Sequence, residues 1–182
     1  MKIQFFGNQT FLIDGKNAKA GLNPTADIES DIALINQPSF DTPKDIVAKK
    51  VLSLPGEFEA SGVLINALPT DGHTNTVFKF DMDDIVCAHL GNLKDLPLSK
   101  FYEELGENVD ILFLPLSEDI KGKQAKEIFE KVSPRVTFVC GDQALFPEAI
   151  EKCGAKVLEE SSIKMTRSQF SDDAMEVYIL SV

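Results

Sequence analysis

The side chains that could do chemistry are few and spread along the chain. After the apolar run 32–35 comes Asn36, then a loop that reads Gln37-Pro38-Ser39-Phe40-Asp41-Thr42. It offers one amide, two hydroxyls and one carboxylate, but no imidazole and no thiol. The two histidines are His73, in the turn "TDGHT", and His89, near the end of "DIVCAHL". Cys140, Gly141 and Asp142 close another apolar run. Asp41, His73, His89, Cys140 and Asp142 carry the donor types that hold metal ions, since imidazole, thiolate and carboxylate offer lone pairs near neutral pH. Spacing alone does not make them converge, and liganding or catalysis requires convergence. On the residues themselves, His89 is expected at a strand end, bonded to a backbone carbonyl, and His73 in an exposed turn. Cys140 lacks a paired histidine signal and is expected as a buried small hydrophobe. Asp41 suits an Asx turn or a helix cap before "TPKDIVAKK". Ser39 has no G-x-S-x-G context. "DMDD" at 81–84 lacks the glycine and distal glutamate of a calcium loop, so an acidic hairpin turn is expected. Glu57 and Glu59 are expected on a solvated strand edge. No residue is assigned a catalytic role.

These residues need elements to place them. The first half is rich in strand signals: 2–6, 9–14, 18–22, 31–36, 50–54, 62–68, 75–80 and 84–90, with Asp14-Gly15 as a hairpin turn. The second half alternates. Residues 99–106 predict a helix with a Ser cap, a capping-box Glu and a terminal Gly. The run 109–116 predicts a central strand. Residues 121–132 predict a helix with Ala125, Ile128, Phe129 and Val132 on one face, ended by Pro134. Strands are expected at 135–140, in "AKVLE" and in "MEVYILSV", with a short helix over 145–153 stopping at Gly154. Two sheets flanked by helices account for this order. No linker or repeat divides the chain, so residues 1–182 are expected to form one domain.

Composition limits the partners. The chain has 182 residues, 43% of them hydrophobic, enough for a substantial core. Its formal net charge of −11 opposes phosphate backbones and anionic lipid, so neither nucleic acid nor membrane surface is expected as a partner. No apolar stretch has membrane-spanning length, and the N-terminus lacks the pattern of a signal peptide. Three cysteines, dispersed and odd in number, fit reduced thiols and a cytoplasmic location better than a disulfide framework.

Several stretches in succession resemble the metallo-β-lactamase superfamily, in particular its compact branch related to ascorbate-6-phosphate lactonase. "GNQTFLID" at 7–14 is similar to that branch's Gly-His-Ser-x-Phe-Leu-Ile opening, and "GLNP" at 21–24 to its Ile-Asp-Pro strand end. "LPGEFEASGVLINALPT" resembles a Pro-Gly-Glu-Tyr-Glu segment and the strand after it. "NTVFKF" and "CAHLGNL" resemble the Asn-Thr-Val-Tyr strand and the His-x-Gly-Asp turn, and "VDILFLPL" and "SPRVTFVCGD" fill the places of the last strands. The resemblance runs in order along nearly the whole chain. It implies an α/β fold, the four-layer αββα sandwich with mixed sheets, and a zinc or manganese site at one edge that activates water for hydrolysis.

The same resemblance implies that the ligand residues are missing. The superfamily loop H-x-H-x-D-H falls on Gln37, Ser39, Asp41 and Thr42, so only the aspartate keeps its type. Asn8 stands for a histidine, Asn23 for the strand-end aspartate, Asn92 for the metal-bridging aspartate and Gly141 for the last histidine. His73 lies near the remaining ligand position. The expected vestigial pocket is therefore Asn8, Asn23, Gln37, Ser39, Asp41, Thr42, His73, His89, Asn92, Cys140, Gly141 and Asp142, with no metal ligand and no cofactor among them. The function expected is a metal-free, catalytically degenerate member that binds a small ligand or a protein. A residual hydrolase of lactones, esters or phosphodiesters, holding zinc or manganese in a non-standard site, is one alternative. A scaffold subunit, including a homo-oligomer, is the other.

Overall fold

The computed structural model describes residues 1–38, 45–70, 72, 74–170 and 175–181. The strands are β1 (Lys2–Phe5), β2 (Phe11–Asp14), β3 (Lys19–Leu22), β4 (Ser30–Leu34), β5 (Ala48–Leu52), β6 (Gly56–Ala60), β7 (Val63–Pro69), β8 (Thr76–Met82) and β9 (Ile85–His89). Helix α1 (Ser99–Leu105), β10 (Ile111–Leu116), α2 (Gly122–Val132), β11 (Val136–Gly141) and α3 (Phe146–Cys153) follow. The chain then adds β12 (Lys156–Leu158), β13 (Ser162–Lys164) and β14 (Glu176–Leu180). Among the described residues, one sheet has six strands in the order β13-β1-β2-β3-β4-β5, the other eight in the order β12-β14-β11-β10-β9-β8-β7-β6. Both are mixed. In the first, β3, β4 and β5 are parallel. In the second, β9, β10, β11, β14 and β12 are parallel, and the hairpins from β6 to β9 are antiparallel.

Alternation along each strand sorts the apolar residues into two layers. Between the sheets lie Ile3, Phe5, Phe11, Ile13, Phe78, Phe80, Phe113 and Phe138 with their neighbours. On the outer face of the larger sheet, Val77, Leu90, Leu112, Leu114 and Val139 meet Phe101 and Leu105 of α1, Ala125, Ile128 and Phe129 of α2, and Ala149 of α3. Strand β10 is buried at every position because it is covered on both faces, which is why its sequence is a continuous apolar run. Two mixed sheets with helices is the expected fold class. Among the described residues, all three α-helices lie on one sheet.

Several local expectations change. Ser99 is the first residue of α1 rather than its cap; Leu98 occupies the cap position and makes no side-chain cap bond. The strand expected at 50–54 begins two residues earlier, so 48–50 is extended and does not continue a helix from Asp41. Strand β13 has no counterpart among the expected elements. It is three residues long, and it exists because β1 offers it a ladder, with Lys2, Ile3 and Gln4 opposite Lys164, Ile163 and Ser162. In "DMDD", Asp83 and Asp84 form the turn with φ of +57° and +63°. The Asp83 carboxylate accepts the Lys16 N–H at 3.1 Å and faces the terminal ammonium at 3.4 Å, a structural use of its charge.

No described helix is long and apolar enough to cross a membrane.

Candidate functional site

The parallel strands of both sheets run toward the same end of the sandwich, and the residues singled out above gather there. Asn23 follows β3, Gln37 lies beyond β4, His89 ends β9, Asn92 follows it, and Cys140 and Gly141 end β11. The tip of the β1–β2 turn joins them, because the Gly141 N–H donates to the Asn8 carbonyl at 2.7 Å. Ser39, Asp41, Thr42 and His73 lie outside the described residues.

Two asparagines outside the expected pocket organise this end. Asn36, buried just after β4, is a staple between the sheets. Its Nδ2 donates to the Thr76 carbonyl at 2.6 Å and the His89 carbonyl at 3.4 Å. Its own carbonyl accepts the Thr76 N–H at 2.7 Å. Asn23 and Asn36 also bind reciprocally: Asn23 Nδ2 donates to Asn36 Oδ1 at 2.9 Å, and the Asn36 N–H donates to Asn23 Oδ1 at 3.0 Å. Asn75 does the same work one loop over. Its Nδ2 donates to the Leu90 carbonyl at 2.8 Å, and its Oδ1 accepts the Asn92 N–H at 2.8 Å. A polar residue directly after or before a buried apolar run was the available signal, since a buried carboxamide must find partners.

Backbone geometry explains some residue types at this end. Asn8 and Asn23 have φ of +51° and +43°, a region asparagine tolerates better than most side chains. Gly91, at φ +63°, sits against the network; a Cβ there would lie 2.3 Å from Asn75 Oδ1 and 2.5 Å from Asn36 Cβ. Gly141 has φ +91°, and a Cβ would fall 2.3 Å from the Leu116 carbonyl oxygen. The backbone at 141 thus has no room for any side chain, imidazole included.

The titratable residues sort by burial. His89 is fully buried between the sheets, on the same strand face as Ile85 and Cys87. Its ring meets Phe113 edge-on at 6.1 Å. Neither ring nitrogen has a hydrogen-bond partner among the described residues, which corrects the expected bond to a backbone carbonyl. Burial lowers its pKa to about 3, so the ring is neutral near pH 7. Cys140 is fully buried and burial pushes its thiol well up, away from thiolate character. Asp142 is exposed, and its Oδ1 accepts the Ala144 N–H at 2.9 Å to cap the turn Gln143–Leu145. Asn8, Gln37 and Asn92 are exposed on the rim. Next to Asn92 in the chain, Leu93 helps line a groove of about 280 Å³ with Pro69, Lys94, Asp95, Phe101 and Glu104.

The donors among the described residues do not fit the divalent ion that the resemblance implies. Among the described residues, no three His, Cys, Asp or Glu side chains converge. Asn23 spends both ends of its carboxamide on Asn36, and position 141 cannot carry a ligand. A carboxamide oxygen is also a far weaker zinc donor than imidazole or carboxylate.

The comparisons with known proteins agree on the fold. The sequence matches the beta-lactamase superfamily domain over residues 2–139. None of the curated proteins searched matches it. Among solved structures it is similar to a proposed zinc-dependent hydrolase of the metallo-beta-lactamase superfamily from Thermotoga maritima, with TM-score 0.82, 20% identity and 99% of each chain covered. A proposed metal-dependent hydrolase from Parabacteroides distasonis gives TM-score 0.67 and 17% identity, over 97% of this chain and 91% of that one. Igni18, a metallo hydrolase from Ignicoccus hospitalis, gives 0.63 and 14%, over 91% and 99%. The chain belongs to the beta-lactamase superfamily, and its two mixed sheets with helices have the architecture of the metallo-β-lactamase fold.

Proposed function

We propose that this protein is a metal-free, catalytically degenerate member of its superfamily, and that it acts as a binding module through the strand-end rim. What supports this reading is the use made of the positions that the resemblance aligns with ligands. Gly141 has no space for a side chain, Asn23 is locked to Asn36, and Asn92 is held by Asn75 through its backbone N–H. These positions serve to close the end of the sandwich. Hydrolysis by this fold needs a metal-activated water, and the donors among the described residues at this end do not fit the metal that would activate it. What the rim offers instead is hydrogen bonding from the exposed Asn8, Gln37 and Asn92, the last of them next in the chain to Leu93, which with Phe101 lines a groove. That combination suits a polar ligand with an apolar portion, or a loop of a partner protein.

The test is turnover of lactone, ester and phosphodiester substrates with zinc or manganese supplied. No metal-dependent turnover is expected. Turnover that requires added metal and disappears in His73→Ala would overturn the reading.

A further inference from the structure

Among the described residues, strands β5 and β6 are the terminal strands of the two sheets, joined by only three residues, 53–55, so both of these edges lie on the same side of the sandwich. Each strand is five residues long. Their charges are opposite. β5 carries Lys49 and Lys50, and β6 carries Glu57 and Glu59, all four exposed. The terminal strands on the far side, β12 and β13, are three residues each, and each carries a lysine and no acid.

We infer that this side is a self-association surface, and that the partner is a second copy of the chain, paired so that β5 of each copy adds to β6 of the other. Edge strands present unpaired N–H and C=O groups that another strand can complete. Three pairings are open to this side. Joining β6 to β6 sets Glu57 and Glu59 against the same residues, and joining β5 to β5 does so with the lysines. Like charges across a ladder are unfavourable. Only β5 with β6 brings opposite charges together, so the signs on the two edges select it.

The geometry closes. A two-fold axis running roughly along the strands carries the six-stranded sheet of one copy into line with the eight-stranded sheet of the other, twice. β5 runs toward the strand-end rim and β6 runs away from it, as the β4–β5 and β6–β7 pairings require, so the new ladders are antiparallel. Lys49 lies four residues before Ser53, and Glu59 four after Pro55. Counting from the crossing, Lys49 therefore falls opposite Glu59 of the second copy, and Val51 opposite its Glu57. Both members of the charged pair point outward. Lys49 is on the face where it meets Asp31 at 2.6 Å, and Glu59 is opposite in face to Phe58 and Ala60, which pack on the core between the sheets. The interface is isologous, with two identical ladders and two Lys49–Glu59 pairs.

Sedimentation of the intact protein across a wide concentration series tests this, together with Lys49→Glu and Glu59→Lys, both exposed substitutions. The wild type should form dimers. Each single reversal turns two attractions into two repulsions and should raise the dimer dissociation constant about tenfold or more. An equimolar mixture of the two variants should form the heterodimer in preference to either homodimer. In that mixed pair one variant is acidic at both positions and the other basic at both, so each ladder again joins opposite charges. A wild type monomeric throughout, a dimer indifferent to both reversals, or a mixture no tighter than the single variants would each overturn the proposal.

Discussion

At the residue scale, His89 has the clearest pH consequence. Its ring sits fully buried with no hydrogen-bond partner among the described residues, and burial lowers its pKa to about 3 from an ordinary 6.5. The unfolded chain therefore binds the proton more readily than the folded one. Above pH 6.5 both forms are neutral and the residue adds no pH dependence. As pH falls below 6.5, stability is lost progressively until about pH 3. The loss between pH 7 and pH 5 should be about 2 kcal/mol from this one group. His89→Leu, apolar and of similar volume, should flatten that acid limb while leaving the fold intact, as followed by urea unfolding at pH 7 and pH 5. An unchanged slope would show that the ring finds a proton partner.

The staple belongs to the scale of elements, because Asn36 ties the end of β4 to the start of β8 and the end of β9. Asn36→Ala would leave the Thr76 and His89 carbonyls and the Asn23 amide short of partners inside a closed end, at a cost of about 2–4 kcal/mol. Gly91→Ala should cost about 2 kcal/mol or more, since it combines a left-handed backbone with a clash against Asn75 and Asn36. Denaturant titration measures both; a loss under about 1 kcal/mol in Asn36→Ala would mean water replaces the carboxamide. Legibility in the sequence follows the same physics. Strands β1 to β4 and β7 to β11 were readable because alternation or a continuous apolar run reports burial directly. Strand β13 was not, since a three-residue strand is made by its partner and not by its own pattern. The positions Asn8, Asn23, Asn92 and Gly141 could be lined up by resemblance. The work of Asn36 and Asn75 could not, because a carboxamide's partners here lie up to 53 residues away along the chain.

On the scale of the whole molecule, buried polar contacts tie the sandwich together at both ends. At the end opposite the rim, Asp110, only 1% exposed, accepts the Arg135 guanidinium on Oδ1 at 2.6 Å, and its Oδ2 accepts the Val86 N–H and meets Arg167. At the rim, the Asn23, Asn36 and Asn75 carboxamides tie the strand ends together. A net charge of −11 opposes association of two copies, so the local match of Lys49 with Glu59 has to overcome a general repulsion. Salt screens both the general repulsion and the exposed Lys49–Glu59 match, so the effect of the charge reversals should be largest at low ionic strength.

The most direct test of the central claim, that this end is closed by amides and glycine and holds no metal, is elemental analysis of protein purified without chelator. Zinc, manganese and iron are expected far below one equivalent per chain. One tightly held equivalent of any of them, lost in His73→Ala, would contradict the account.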